Sequence, residues 1–163
     1  MMEIEIKKAV LPRDLKTLER LDRLSFPDYQ DLIYKESWKK YQNFVVCVGK
    51  KPVGYVSLQP HTGIYNYVSD THERKLGALH FTAIGIIPRY RKFGLGGLLV
   101  MLVIAYARLG KFKSINATSR KSNKPIIALV KKMGFKITRE IKNFYPDGET
   151  AVAEEFFLKK PKF

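Results

Sequence analysis

Ile84-Gly-Ile-Ile-Pro-Arg-Tyr-Arg-Lys-Phe-Gly-Leu-Gly-Gly97 decides how the rest of the chain is read. An apolar strand runs into a proline and basic residues, then into a glycine-rich turn, and a helix starts at once. Glycine lets the backbone approach a ligand closely and take conformations that a Cβ forbids. The first N–H groups of a helix have no partner inside it. With the positive end of the helix dipole they form a seat for phosphate. Arg89, Arg91 and Lys92 add positive charge beside it. The stretch therefore reads as a seat for the pyrophosphate of a cofactor, against the plainer reading of a tight turn. A dinucleotide fingerprint would need G-x-G-x-x-G with an acid about 20 residues on. A Walker loop would end in Gly-Lys-Ser/Thr, and Gly96-Gly97-Leu98 does not.

The totals bound the answer. A chain of 163 residues with 45% apolar content reads as one domain, residues 1–163, with a full core. The longest apolar run, Leu95 to Ala107, is too short to span a bilayer, so no membrane association is expected. The alternating, charged start is unlike a signal peptide. The lone Cys47 lies in an apolar strand pattern and reads as a small core residue. A cytoplasmic protein is the expectation. Net charge is +15, from 30 Lys and Arg against 15 Asp and Glu. That charge suits a polyanionic partner such as a ribosome, or a lysine-rich solvated surface; it spreads along the chain and forms no tail.

Ile4 and Ile6 alternate with charges as a first strand. Pro12 and Asp14 open a helix to about Leu24, with Leu15, Leu18, Leu21 and Leu24 as its apolar stripe. Phe26-Pro27-Asp28-Tyr29 breaks it, and a second helix follows over about 30–41, carrying Tyr34, Trp38 and Tyr41. Residues 44–48 and 53–58 form a hairpin around Gly49-Lys-Lys-Pro52. Residues 61–77 read as a polar loop with room for one strand near 64–68, and its His61 and His72 as solvated. Ala78 to Ile87 is the central strand. A helix runs over 95–109 and stops at Gly110. Residues 113–119 form a strand. Asn123 caps a helix with Pro125 in its first turn, which stops at Gly134. Strands over 135–145 and 150–158 flank a turn at Pro146-Asp-Gly148, and the tail 159–163 reads as frayed.

Arg91-x-x-Gly94-x-Gly96, after a strand and a proline, resembles the acetyl-CoA-binding signature of the GNAT acetyltransferase superfamily. Arg120-Lys-Ser-Asn123 followed by a helix ending in Gly134-Phe135 resembles the second cofactor segment of that family. Asn143-Phe-Tyr-Pro-Asp-Gly-Glu-Thr-Ala151 is similar to the Tyr-Tyr-x-Asp-Gly-Glu-Asp-Ala turn of protein N-terminal acetyltransferases of the RimI and Ard types. Phe26-Pro27 sits where those enzymes place a Phe-Pro beside the peptide. The likeness spans roughly residues 2 to 158. It implies an α/β (α+β) GNAT fold: a central mixed, mostly antiparallel twisted sheet of six to seven strands flanked by about four helices. It implies acetyl-CoA as cosubstrate, held by Ile84, Gly85, Ile86, Arg91, Lys92, Phe93, Gly94, Leu95, Gly96, Gly97 and Asn123. It implies an acceptor, a protein or peptide N-terminus, bordered by Phe26, Pro27, Tyr29 and Tyr145.

The implied chemistry moves an acetyl group to an amine by direct attack in a ternary complex. The amine must lose a proton to a base, and strand N–H groups near Ile84–Ile86 suit the polarised thioester oxygen. The usual acid–base positions of such relatives hold Val130 and Thr118 here. His80, on the central strand fourteen residues before Gly94, is the candidate base; its intrinsic pKa is near neutrality, and it shares a face with Thr82 and Ile84. Tyr145 is the alternative acid or an acceptor-binding hydroxyl. No Cys/His cluster has metal spacing, so no metal is expected. The other functions weighed are a small-molecule amine acetyltransferase and a basic ribosome- or nucleic-acid-binding module on the same fold. The oligomeric state is left as monomer or dimer.

Overall fold

The structure is a computed structural model and describes residues 2–28, 35–60 and 77–158. Its strands are β1 (Ile4–Lys8), β2 (Gln42–Val48), β3 (Lys51–Pro60), β4 (Ala78–Ile86), β5 (Ser114–Arg120), β6 (Lys136–Ile141) and β7 (Ala151–Phe157). Its α-helices are α1 (Leu15–Ser25), α2 (Leu95–Leu109) and α3 (Lys124–Lys132). The strands form one seven-stranded sheet in the order β1-β2-β3-β4-β5-β7-β6. β4 and β5 run parallel, and the β1/β2, β2/β3, β5/β7 and β6/β7 pairs are antiparallel. This is the mixed, mostly antiparallel sheet that the sequence implies. The chain divides into two compact units, residues 1–59 with 82–99, and residues 60–81 with 100–163.

In the first unit the β2–β3 hairpin turns at Gly49, whose φ of +58° is open to glycine at no steric penalty. Leu18, Leu21, Trp38, Tyr55, Leu58 and Leu99 are its largest wholly buried apolar side chains. Leu24 is exposed, and Asp22 and Ser25 take its expected place inside. The reason is helical pitch: a strict three-residue spacing drifts about 60° per step, so the face set by Leu18 returns at 22 and 25, not at 24. The helix expected over 30–41 is a 3₁₀ helix, Lys35–Lys40, within the described residues. Trp38 is fully buried, edge-on to Tyr55 at 5.6 Å. Asn43 closes this corner: its Nδ2 donates to Trp38 O at 3.1 Å, and its Oδ1 accepts from Ser57 Oγ at 2.7 Å. Cys47 is buried and free, and burial pushes its thiol up.

In the second unit Leu79, Phe81, Val103, Ile115, Val130 and Phe135 fill the interior. Phe135 stacks obliquely between Phe81 and Phe156, 6.4 and 5.3 Å away. α2 is apolar all round, yet Met101 and Leu109 are exposed while Val100, Val103 and Ala107 are buried. Its end differs in detail from the expectation. Lys111, with φ +57°, takes the left-handed position, and Gly110 instead makes room for the Phe112 ring, which a Cβ would meet at 2.5 Å. Gly134, at φ +102°, ends α3 as read from the sequence. Among the described residues no helix is long and apolar enough to cross a membrane. The loop with His61 and His72, the strand near 64–68, Tyr34 and the tail 159–163 lie outside the described residues.

Candidate active site

The glycine-rich turn belongs to the first unit. Ile87 N donates to Val53 O at 3.0 Å, and Pro88–Tyr90 make one 3₁₀ turn. Lys92 (φ +65°) and Gly94 (φ +83°) both have left-handed backbones, and Phe93 between them does not. Such alternation turns successive N–H groups to one side, as in the backbone nests that hold anions. α2 starts at once, and its first intrahelical bond runs from Leu98 N to Gly94 O at 3.1 Å. The N–H groups of Leu95, Gly96 and Gly97 thus precede the first helical donor and have no acceptor inside the helix. A Cβ built on Gly94 would meet nothing within 4 Å, so the turn opens on free space. That space and those donors fit the pyrophosphate of acetyl-CoA. Phe93 is 64% exposed at the rim.

Arg91 braces this turn. Its Nε donates to Ile86 O at 2.9 Å and its guanidinium to Ser25 O at 2.6 Å, which ties the turn to the end of α1. Gly85 is the close-approach point: a Cβ there would lie 2.6 Å from Ser25 Oγ and 2.7 Å from the Tyr55 ring. Behind it, Tyr55 Oη donates to Asp22 Oδ1 at 2.5 Å. Burial, then the Asp22 charge, pushes the Tyr55 phenol well up, so it stays a donor. Ser25 Oγ and Thr82 Oγ1 are buried without a partner among the described residues. Phe26 is half-buried where α1 ends, Pro27 is exposed, and Tyr29 lies outside the described residues.

His80 and Asn123 belong to the second unit. The parallel β4–β5 ladder covers only Ala78–His80 with Ser114–Asn116, so His80 and Asn116 form its last rung. His80 is 7% exposed, with Nδ1 2.7 Å from Asn116 Oδ1. Asn123 caps α3, its Oδ1 accepting from Ile126 N at a long 3.5 Å. Thr118 is half-buried on β5, and Val130 is buried in α3. Tyr145 is half-buried in the turn between β6 and β7, its ring 5.0 Å from Phe144 and beneath the Arg120 guanidinium at 4.2 Å.

The sequence reading missed two buried charges here. Arg120, at the end of β5, holds Asp147 and Glu149 at 2.7 Å each. Hydrogen bonding from Ser122, then from Arg120, pulls the Glu149 carboxyl down to about 2; the Glu149 N–H, more than Arg120, lowers Asp147. Glu154 on β7 is 2% exposed; its Oε2 accepts from Ser119 Oγ at 3.0 Å and its Oε1 has no partner among the described residues. Burial pushes this carboxyl up to about 7. Among the described residues no group of His, Cys, Asp and Glu has the arrangement to hold a metal ion.

Comparison with known proteins bears on the same segments. The family model "Acetyltransferase (GNAT) family" matches residues 13–135. An N-alpha-acetyltransferase of Sulfurisphaera tokodaii is 31% identical over 153 residues, which is 91% of this chain and 90% of that protein. The ribosomal-protein-S18-alanine N-acetyltransferase of Escherichia coli superposes with a TM-score of 0.78 at 19% identity, over 98% of this chain and 97% of its own. Arabidopsis thaliana Naa50, solved with the bisubstrate analogue CoA-Ac-MVNAL, gives 0.76 at 16% identity, over 95% and 99%. These two structures share the fold. With the family model matched across the glycine-rich turn and the Asn123 helix, and nearly the whole length aligned to a relative, the chain belongs to the GNAT acetyltransferase family.

Proposed function

We propose that this acetyl-CoA-dependent enzyme acetylates the α-amine of a protein or peptide N-terminus. The donor side is carried by the open backbone cradle at Lys92–Gly94 heading α2. The acceptor class is supported by the likeness to the Sulfurisphaera tokodaii N-alpha-acetyltransferase along 91% of the chain. Acetyl-CoA supplies an activated thioester carbonyl. The N–H groups from Lys92 to Gly97 seat its pyrophosphate, and Asn123 contacts it from the start of α3. N–H groups of the strand at Ile84–Ile86 polarise the carbonyl oxygen. His80 takes the proton that the amine loses as the C–N bond forms. The C–S bond breaks, and the thiolate leaves protonated, with the Tyr145 hydroxyl as acid or as an acceptor-side contact. Phe26, Pro27 and Tyr29 border the acceptor's first residues.

The test is a panel of peptides with different first residues, incubated with acetyl-CoA beside a lysine-side-chain peptide, spermidine and simple amines. Mass spectrometry then locates the acetyl group. Transfer to the α-amine supports the reading. Transfer only to spermidine, small amines or lysine side chains overturns it.

The +15 charge supports encounter with ribosomes, where new N-termini emerge, in the cytoplasm. Co-sedimentation with ribosomes that weakens steeply with salt is the matching observation. Residues 1–163 would act as one acetyltransferase domain, and sedimentation equilibrium decides between monomer and dimer.

A further inference from the structure

Arg120 is buried where β5 ends, and its charge reaches two segments that the sequence reads separately. Its Nη1 donates to Asp147 Oδ2 and to Glu149 Oε2, both in the turn between β6 and β7. Its plane lies on the Tyr145 ring of the same turn. On the other side, Arg120 O accepts from Asn123 N at 2.9 Å, and the second Glu149 oxygen accepts from Ser122 N at 2.9 Å. Lys121 N donates to Thr150 O at 3.0 Å. Inside the turn, Asp147 Oδ1 accepts from Glu149 N at 3.0 Å, and Tyr145 N donates to Glu149 O at 3.2 Å.

We propose that Arg120 is the positioning residue of the acceptor side: it clasps the Tyr145 turn to the Ser122–Asn123 segment and so sets the affinity for the peptide. The inference rests on the N-terminal acetylation reading above. A planar guanidinium can bond two carboxylates in its plane and lay its face on a ring at once. An ammonium offers a point charge and no face. Pro146, Asp147 and Gly148 are exposed, so few other side chains cover the turn. Without the clasp the turn samples many conformations, and the peptide must order it on binding. That penalty falls on KM. Once the peptide is bound, the reacting atoms meet the same groups, and kcat stands.

The experiment compares the wild type with Arg120→Met, Arg120→Lys and Asp147→Asn, each checked for cooperative melting. Peptide KM and kcat are measured at saturating acetyl-CoA, with acetyl-CoA affinity by calorimetry. Arg120→Met should raise the peptide KM about tenfold and leave kcat within about threefold. Arg120→Lys should recover less than half of that loss on a logarithmic scale. Asp147→Asn removes one exposed carboxylate without disturbing the interior, and should raise KM about threefold. A peptide KM unchanged in folded Arg120→Lys and Asp147→Asn overturns the clasp. So does a fall in kcat at constant KM, which a group on the reacting atoms would give. If the wild type acetylates no N-terminal peptide, the functional reading itself fails and takes this inference with it. A wild type that turns over beside variants that match it removes the clasp alone.

Discussion

Nδ1 of His80 and Oδ1 of Asn116 face each other at 2.7 Å on the last rung shared by β4 and β5. An amide oxygen only accepts, so the Nδ1 that faces it carries a proton. In a neutral imidazole so held Nε2 is the basic nitrogen, which is the tautomer that the role proposed for His80 requires. His80→Ala should lower kcat at least about a hundredfold with little change in acetyl-CoA affinity. Asn116→Asp places a carboxylate against Nδ1–H, favours the imidazolium, and should move the acid limb of the kcat/KM profile to higher pH. A pH–rate profile in His80→Ala that keeps the wild-type acid limb removes His80 as the base.

Gly94 separates two effects that are usually mixed. Its φ of +83° strains any L side chain, while the space around it is empty. Gly94→Ala should therefore cost about 1 kcal/mol of stability and bind acetyl-CoA with a modest loss. Gly94→Glu adds bulk and negative charge in the cradle proposed for the phosphates, and should weaken acetyl-CoA binding more than about a hundredfold. Calorimetry showing equal affinity in Gly94→Glu and wild type would sink the cradle assignment.

The Tyr145 ring face is engaged by Arg120, so ring and hydroxyl can be tested apart. Tyr145→Phe keeps the stacking and removes only the hydroxyl. It should lower kcat by about tenfold while the melting temperature holds within about 2 °C. Unaltered kinetics would reduce the residue to packing.

Glu154 gives a pH signature of stability. Its folded pKa is raised from 4.5 to about 7, so between those values the folded chain binds more protons than the unfolded one. Its contribution is fully present below about pH 4.5 and is lost as pH rises through about 7. The shift corresponds to a loss on the order of 3 kcal/mol across that window. Glu154→Gln keeps the Ser119 bond and cannot ionise. Its melting temperature should exceed the wild type's at pH 8, and the gap should close toward pH 4.5. Parallel melting curves across that range would refute the buried-acid account.

Local signals in the sequence delivered most of the fold. The hairpin at Gly49, the Asn123–Pro125 start of α3 and its Gly134 stop are each written within a few residues. The glycine-rich turn was legible for the same reason: φ freedom, helix start and basic charge adjoin. What failed to show was set at long range or by rotation. Leu24 reads as core by spacing and faces water by pitch. In β7, Glu154 and Glu155 are adjacent, and only the pairing with Ala117 and Ile137 decides which one is buried. Arg120 finds its carboxylates 27 and 29 residues away, beyond any periodic pattern. The 3₁₀ form of Lys35–Lys40 follows from none of the signals used.

The three charges of the clasp also constrain how this sequence can change. Losing Arg120 alone leaves two carboxylates facing each other; losing either acid alone leaves a buried cation half-matched. Each single step is worse than the sum of a completed exchange, because the groups share one network. Positions 120, 147 and 149 should therefore drift together in descendants of this chain, while exposed lysines nearby change one at a time. The Tyr145 turn is in that sense a single inherited character spelled by residues far apart.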